Sequence, residues 1–302
     1  SFPTRRSSDL VVLPLAVYYT DAAGNKVLSG EKMMIGALVC SIGAVICYML
    51  CYHMTTERVK VEQNTQKFSF KELISEIAHN KALIGIIVCA LLFLLAQLSL
   101  SNMNNYIYPN YFGNVSAMSL ANLAGMVVIL VLSTFIVKLS AKVGKKELSV
   151  IGSIISAAAF LILFFIHTDN VWVWIVLVLI SSVGTAMFNM VIWAMITDVI
   201  DDSEVRTGVR QDGTIYSVYS FARKLGQACS SGISGVLLSI IGYTAATAHD
   251  PKVVDGIYNV TCLVPALGMI LLFLALQFLY PLNKKRVEEN AKILKERRSE
   301  EH

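Results

Sequence analysis

Residues 171–243 read VWVWIVLVLISSVGTAMFNMVIWAMITDVIDDSEVRTGVRQDGTIYSVYSFARKLGQACSSGISGVLLSIIGY. The stretch opens with an apolar run, Val171 to Val199, which exceeds the ~20 residues that cross a bilayer as a helix. Charge then crowds into Asp198 to Asp212, which holds five carboxylates and two arginines in fifteen residues. A second long stretch follows, Thr214 to Tyr243, mostly apolar but carrying Arg223 and Lys224. Membrane-length segments joined by a charged turn set the fold class: an all-α membrane protein.

The rest of the chain repeats the theme. Of its 302 residues, 55% are hydrophobic and 15% charged, against roughly 25% charged in a soluble domain. Mean hydropathy is +0.62. An ordinary soluble enzyme is excluded, and so is a disordered chain. The net charge of +4 sits in short loops, so it is no nucleic-acid footprint. Further spans read as Met33–Met54, Ala82–Tyr108, Val115–Leu139, Leu148–Ile166 and Ile257–Leu282, seven in all. Val11–Tyr19 reads as the end of a cut helix. The six cysteines (Cys40, Cys47, Cys51, Cys89, Cys229, Cys262) lie in apolar stretches with no CxxC pair, as small membrane-helix residues do.

Loop charge orients the spans. The loops 55–81, 138–147 and 200–213 and the tail 283–297 carry seventeen Lys and Arg; the opposite set carries Lys26, Lys32 and Lys252. The basic set faces the cytoplasm by the positive-inside rule, which puts the C-terminus there and implies the cell inner membrane. In the long loop 55–81, Phe70, Leu73, Ile74 and Ile77 recur at helical spacing, with Lys71, Glu72, Glu76 and His79 opposite and Ser69 as a cap. This predicts an amphipathic interfacial helix between two six-helix halves. The organisation expected is 11–54 as the end of an N-terminal bundle, 55–81 as central loop, 82–282 as C-terminal bundle and 283–297 as tail.

Ser1–Leu10 (SFPTRRSSDL) and Arg298–His302 (RSEEH) break the pattern beside them. Both match translations of a short-read sequencing adapter, TCT TTC CCT ACA CGA CGC TCT TCC GAT CT and AGA TCG GAA GAG CAC. Residues 1–10 and 298–302 are expected to be such scars, and the chain a fragment missing its N-terminal half.

Ionisable groups at membrane depth need a partner or a wet cavity. On a helical wheel Tyr216, Tyr219, Ser220, Arg223, Lys224 and Gln227 share one face, continued by Ser230, Ser231 and Ser234. Such a face suits a water-filled pathway; the alternative is that Arg223 and Lys224 snorkel to the interface. In the preceding span Asn189 and Trp193 share a face with Ser182 and Thr185. An indole beside an amide suits a sugar ring, and equally a packed interhelical contact. Asn102 and Asn105 belong to the polar end of the second span, either lining an outer cavity or fraying. The dense charges of Asp198, Asp201, Glu204, Arg210 and Asp212 suit an ionic gate, against the alternative of a solvated loop. No catalytic constellation stands beside these: there is no Walker A and no HExxH, so no enzyme activity is expected. The sequons at Asn114 and Asn259 carry no weight.

The run Asp198-x-x-Asp201-x-x-Glu204-x-x-x-Gly208-x-Arg210-x-Asp212-Gly213, then Tyr216-Ser217 and Lys224-x-Gly226, resembles the glycoside–pentoside–hexuronide:cation symporter family, of which the melibiose permease is the best-known member. Val183-Gly184-Thr185-Ala186 fits as well. The resemblance covers about Val11 to Arg297, the end of helix five through helix twelve. It implies a major-facilitator fold in which two bundles rock about a central sugar site, driven by Na⁺ or H⁺, with no other cofactor and no metal site. It implies that the lysine near the cation and sugar sites is Lys224. The gate residues implied are Asp198, Asp201, Glu204, Arg210 and Asp212. Asp202 departs from the aromatic the family often has there. Partners implied are the sugar, the coupling cation, the bilayer and the missing half. A lysolipid or other small-molecule carrier on the same fold, or a non-transporting scaffold, are the alternatives.

Overall fold

The computed structural model describes residues 18–20, 26–28, 30–55, 80–244, 247–248 and 250–300. Two units divide the chain, residues 1–67 and 68–302. In the first, β1 (Tyr18–Thr20) pairs antiparallel with β2 (Lys26–Leu28), and α1 (Gly30–Met54) follows. The expected helix end at 11–19 is corrected at its last residues: Tyr18 and Tyr19 are extended, opposite Leu28 and Val27. Tyr, Thr and Val favour extended backbone, and Gly24-Asn25 between the strands is turn sequence. Residues 11–17 and the expected amphipathic helix within 56–79 lie outside the described residues.

The second unit is a helical bundle. Helix α2 (Lys81–Tyr106) runs into one π turn (Ile107–Tyr111), followed by α3 (Val115–Val143) and α4 (Lys145–Ile166). Next come α5 (Val171–Thr207), α6 (Asp212–Ile241), α7 (Pro251–Phe278) and α8 (Lys284–Glu300). Among the described residues seven helices, α1 to α7, are long and apolar enough to cross a membrane. Helix ends have local causes. Asn80, Asn114 and Asn170 each accept a backbone N–H of the first turn of α2, α3 and α5, at 3.0, 3.0 and 2.9 Å. Gly208 ends α5 at φ +74°, a conformation that glycine enters without strain. Helix α5 therefore runs past Val199. Asp198, Asp201, Asp202 and Glu204 stand on its last turns instead of in a loop. Helix α7 starts at Pro251, ahead of Ile257, because proline suits a first helical position.

Lipid tails are as apolar as leucine, so helices in a bilayer associate through close packing of small residues. The α4–α5 seam does this. A Cβ on Gly152 would meet the Gly184 carbonyl oxygen at 2.5 Å, and one on Gly184 would run into the Gly152 carbonyl oxygen. Ser156 and Ser181 hydroxyls bond at 2.6 Å on the same seam. The α2–α7 seam repeats the pattern, with Gly85 against the Leu279 carbonyl and Gly268 against Ala96. The buried core between these layers holds Phe93, Phe188, Met195 and Leu276. Helices α3 and α6 are the least buried spans of the unit.

Gly184→Leu forces the two backbones apart. A loss of roughly 1–3 kcal/mol is expected from overpacking, read as a lower unfolding temperature in detergent. A variant as stable as the parent contradicts the close crossing.

Candidate functional site

Helix α6 is two-sided. Its buried stripe, Ile215, Tyr219, Ala222, Gly226, Ser230 and Ser234, lies against α2. Gly226 permits the approach, since a Cβ there would meet Leu91 at 2.9 Å. Ser234 accepts from the Asn102 amide at 3.1 Å and donates to the Ser230 carbonyl at 3.0 Å. Three residues that the wheel joined to the polar face, Tyr219, Ser230 and Ser234, thus belong to a helix seam. Beside the seam the polar face persists. Arg223, Tyr216, Gln227, Ser220, Ser231 and Lys224 follow one another around the helix, with Arg223 at the seam's edge and Lys224 about 100° further round. Lys224 is exposed and forms neither hydrogen bond nor salt bridge with any described residue.

Arg223 does not reach for the interface. Its guanidinium carbon lies 4.9 Å from the Trp193 ring centre and 5.9 Å from that of Tyr219, which are cation–π distances. Trp193 in turn sits 6.0 Å from Tyr216 and 5.9 Å from Tyr219, and stays 44% exposed. A small cleft opens here between α2, α5 and α6. Asn189, Tyr219 and Arg223 line it with Phe93, which sequence reasoning missed because an apolar side chain carries no such signal. The Tyr219 hydroxyl is buried and has no partner at hydrogen-bond geometry. The structure therefore gathers Asn189, Trp193, Tyr216, Tyr219 and Arg223.

Asn102 and Asn105 lie apart from that group, toward the other end of α2. The helix there is intact through Tyr106 and does not fray. Asn102 is tied to Ser234, whereas Asn105 donates only to carbonyls of its own helix, Ser101 and Asn102, at 3.4 and 3.3 Å.

At the charged end, Arg210 collects three carboxylates. Its Nη1 donates to Asp201 at 2.9 Å and Glu204 at 2.8 Å, and its Nε to Asp212 at 2.8 Å. Burial works against its charge, but Glu204, Asp212 and Asp201 outweigh it and raise the guanidinium pKa. This knot ties the last turns of α5 to the first turn of α6. Asp198 is not part of it: 6% exposed, it accepts from Lys145 Nζ of α4 at 2.6 Å. Asp202 accepts from Arg286 and Asn290 of α8, at 3.3 and 3.0 Å. The expected gate charges are thus all paired within this unit. Lys145, Arg286 and Asn290 were not singled out in sequence, because nothing local marks a partner 53 or 88 residues away.

Known proteins resemble this chain. The family model described as MFS/sugar transport protein matches residues 10–284. An uncharacterized symporter of Bacillus subtilis is 30% identical over 281 residues, 92% of this chain and 59% of that protein. A glucuronide carrier protein homolog of Escherichia coli is 30% identical over 259 residues, 83% of this chain and 55% of that protein. An isoprimeverose transporter of Lactiplantibacillus pentosus is 25% identical over 293 residues, 93% of this chain and 60% of that protein. The chain spans between 55% and 60% of the length of these relatives.

The Lys145–Asp198 pair tests how the charged end holds together. Lys145→Met leaves a buried carboxylate unpartnered, at an expected cost of roughly 3–5 kcal/mol. Adding Asp198→Leu is expected to recover most of it in the thermal unfolding of purified protein. Losses that simply add contradict the coupling.

Proposed function

Because the chain belongs to the MFS/sugar transport protein family, we propose that it forms the C-terminal part of a sugar symporter. Whole, the carrier moves a glycoside, pentoside or hexuronide with Na⁺ or H⁺ by alternating access. The observation that carries the reading is the cleft where Arg223 lies over Trp193 beside Asn189. An aromatic face gives a sugar ring a surface to stack on. Amide, guanidinium and phenol hydroxyl beside it give directional hydrogen bonds. The printed names of the relatives, a symporter, a glucuronide carrier homolog and an isoprimeverose transporter, point the same way.

The polar face of α6 is the side offered to the missing N-terminal bundle. Lipid is a poor neighbour for Lys224, Gln227 and Ser231, while a wet interface between two bundles satisfies them. Lys224 couples sugar to cation there, close to groups of the other half. The Arg210 knot acts as the cytoplasmic gate. It fixes the ends of α5 and α6 as one piece, so that closing and opening become rigid-body steps. Positive-inside asymmetry supports an inner-membrane protein with its C-terminus in the cytoplasm.

The test uses the full-length protein in proteoliposomes and a panel of radiolabelled glycosides, with and without a Na⁺ gradient. Saturable uptake that collapses with the cation gradient is expected; no uptake of any sugar by well-expressed protein overturns the reading. Lys224→Ala is expected to abolish coupled uptake at normal expression, and normal uptake removes the coupling role. Arg210→Ala is expected to slow exchange between inward and outward states. Thiol labelling of cysteines placed on the two sides reads this, and unchanged labelling counts against the gate.

A further inference from the structure

Arg223 carries a guanidinium in the middle of a membrane-length helix. No carboxylate among the described residues forms a salt bridge with it. What holds it is the face of Trp193, 4.9 Å away, with Tyr219 on the other ring contact. A ring face satisfies the guanidinium plane without supplying an anion to its N–H edge. That edge is the part that binds a carboxylate or sulfonate by two parallel hydrogen bonds. Arg223 borders a cleft that Asn189 also lines, and Trp193 beside it is 44% exposed. The arrangement is a cation held on an aromatic face at the edge of a cleft, with no anion among the described residues to pair with it.

We propose that Arg223, held over Trp193, selects sugars that carry an anionic group, a carboxylate or a sulfonate, over their neutral counterparts. The proposal rests on the sugar-symporter reading above and narrows it. The physical reason is one of unpaired charge. A neutral sugar entering the cleft strips water from the guanidinium and returns only neutral acceptors, whereas an anionic sugar returns a charge-assisted pair in a site of low dielectric. Trp193 acts as a positioning residue: it keeps the fork facing the cleft instead of the lipid or the interface. Lys224, about 100° around the helix, is not part of this fork.

The experiment uses the full-length protein in proteoliposomes and matched pairs of 4-nitrophenyl glycosides: glucoside with glucuronide, galactoside with galacturonide. The wild type is expected to take up the acidic member of a pair roughly 10- to 100-fold better, the range for a hydrogen bond to a charged group. Arg223→Gln is expected to erase that preference. Arg223→Lys is expected to keep part of it, which separates loss of charge from loss of fold. Equal uptake of both members by the wild type overturns the inference and leaves the symporter reading standing. A preference that survives Arg223→Gln in membrane-inserted protein does the same. Uptake of neither member of any pair overturns the symporter reading, and the inference falls with it.

Discussion

The contact on which the rest of this structure depends is the crossing of α4 and α5 at Gly152 and Gly184. Inside a bilayer there is little apolar force between helices, so backbones must come close enough for dispersion and short polar bonds to act. Two glycines facing each other, each with the other's carbonyl where a Cβ would stand, allow that approach. The Ser156–Ser181 bond then fixes the register. With α5 locked in rotation on α4, Phe188 turns inward to the core, while Asn189 and Trp193 turn toward α6. The position of the cleft is set by a packing contact that touches none of its residues.

Charge is placed by the same economy of water. At the charged end of the bundle, five carboxylates would repel one another on the last turns of α5 and the start of α6. Each instead meets a cation or an amide: Asp201, Glu204 and Asp212 on Arg210, Asp198 on Lys145, Asp202 on Arg286 and Asn290. These pairs tie α4, α5, α6 and α8 at one end of the bundle. Deeper in, the pattern changes. Arg223 has an aromatic partner in place of an anion, and Lys224 has none among the described residues. Paired charge hardens the end of the bundle, and the charges on the exposed side of α6 meet no anion among the described residues.

Much of this was legible in sequence. Apolar runs of bilayer length located the spans of α1 to α7, because that signal is large and local. The cluster of charges from Asp198 to Asp212 came from charge density, and two polar faces, one with Arg223 and one on the preceding span with Asn189 and Trp193, came from helical phase. What sequence could not resolve was which side of a polar stripe meets another helix. Tyr219, Ser230 and Ser234 shared a wheel face with Arg223, yet they pack on α2, since a serine serves equally well as a small packing residue and as a pathway residue. The extent of α5 was missed for a similar reason: polar residues from Asp201 to Thr207 look like a loop until Gly208 is seen to be the terminator. Pairings such as Lys145 with Asp198 depend on how α4 docks, which no local pattern encodes. The strand at Tyr18–Thr20 was hidden by the apolar run before it.

The most direct test of the central claim, that the exposed side of α6 lines a sugar pathway, is substrate protection of an engineered thiol. Ser220→Cys, in full-length protein stripped of its native cysteines, is exposed to a small membrane-impermeant thiol reagent in the presence and absence of transported sugar. The account predicts labelling that saturating sugar slows severalfold. Labelling from neither side of the membrane, or labelling that sugar leaves unchanged, contradicts it.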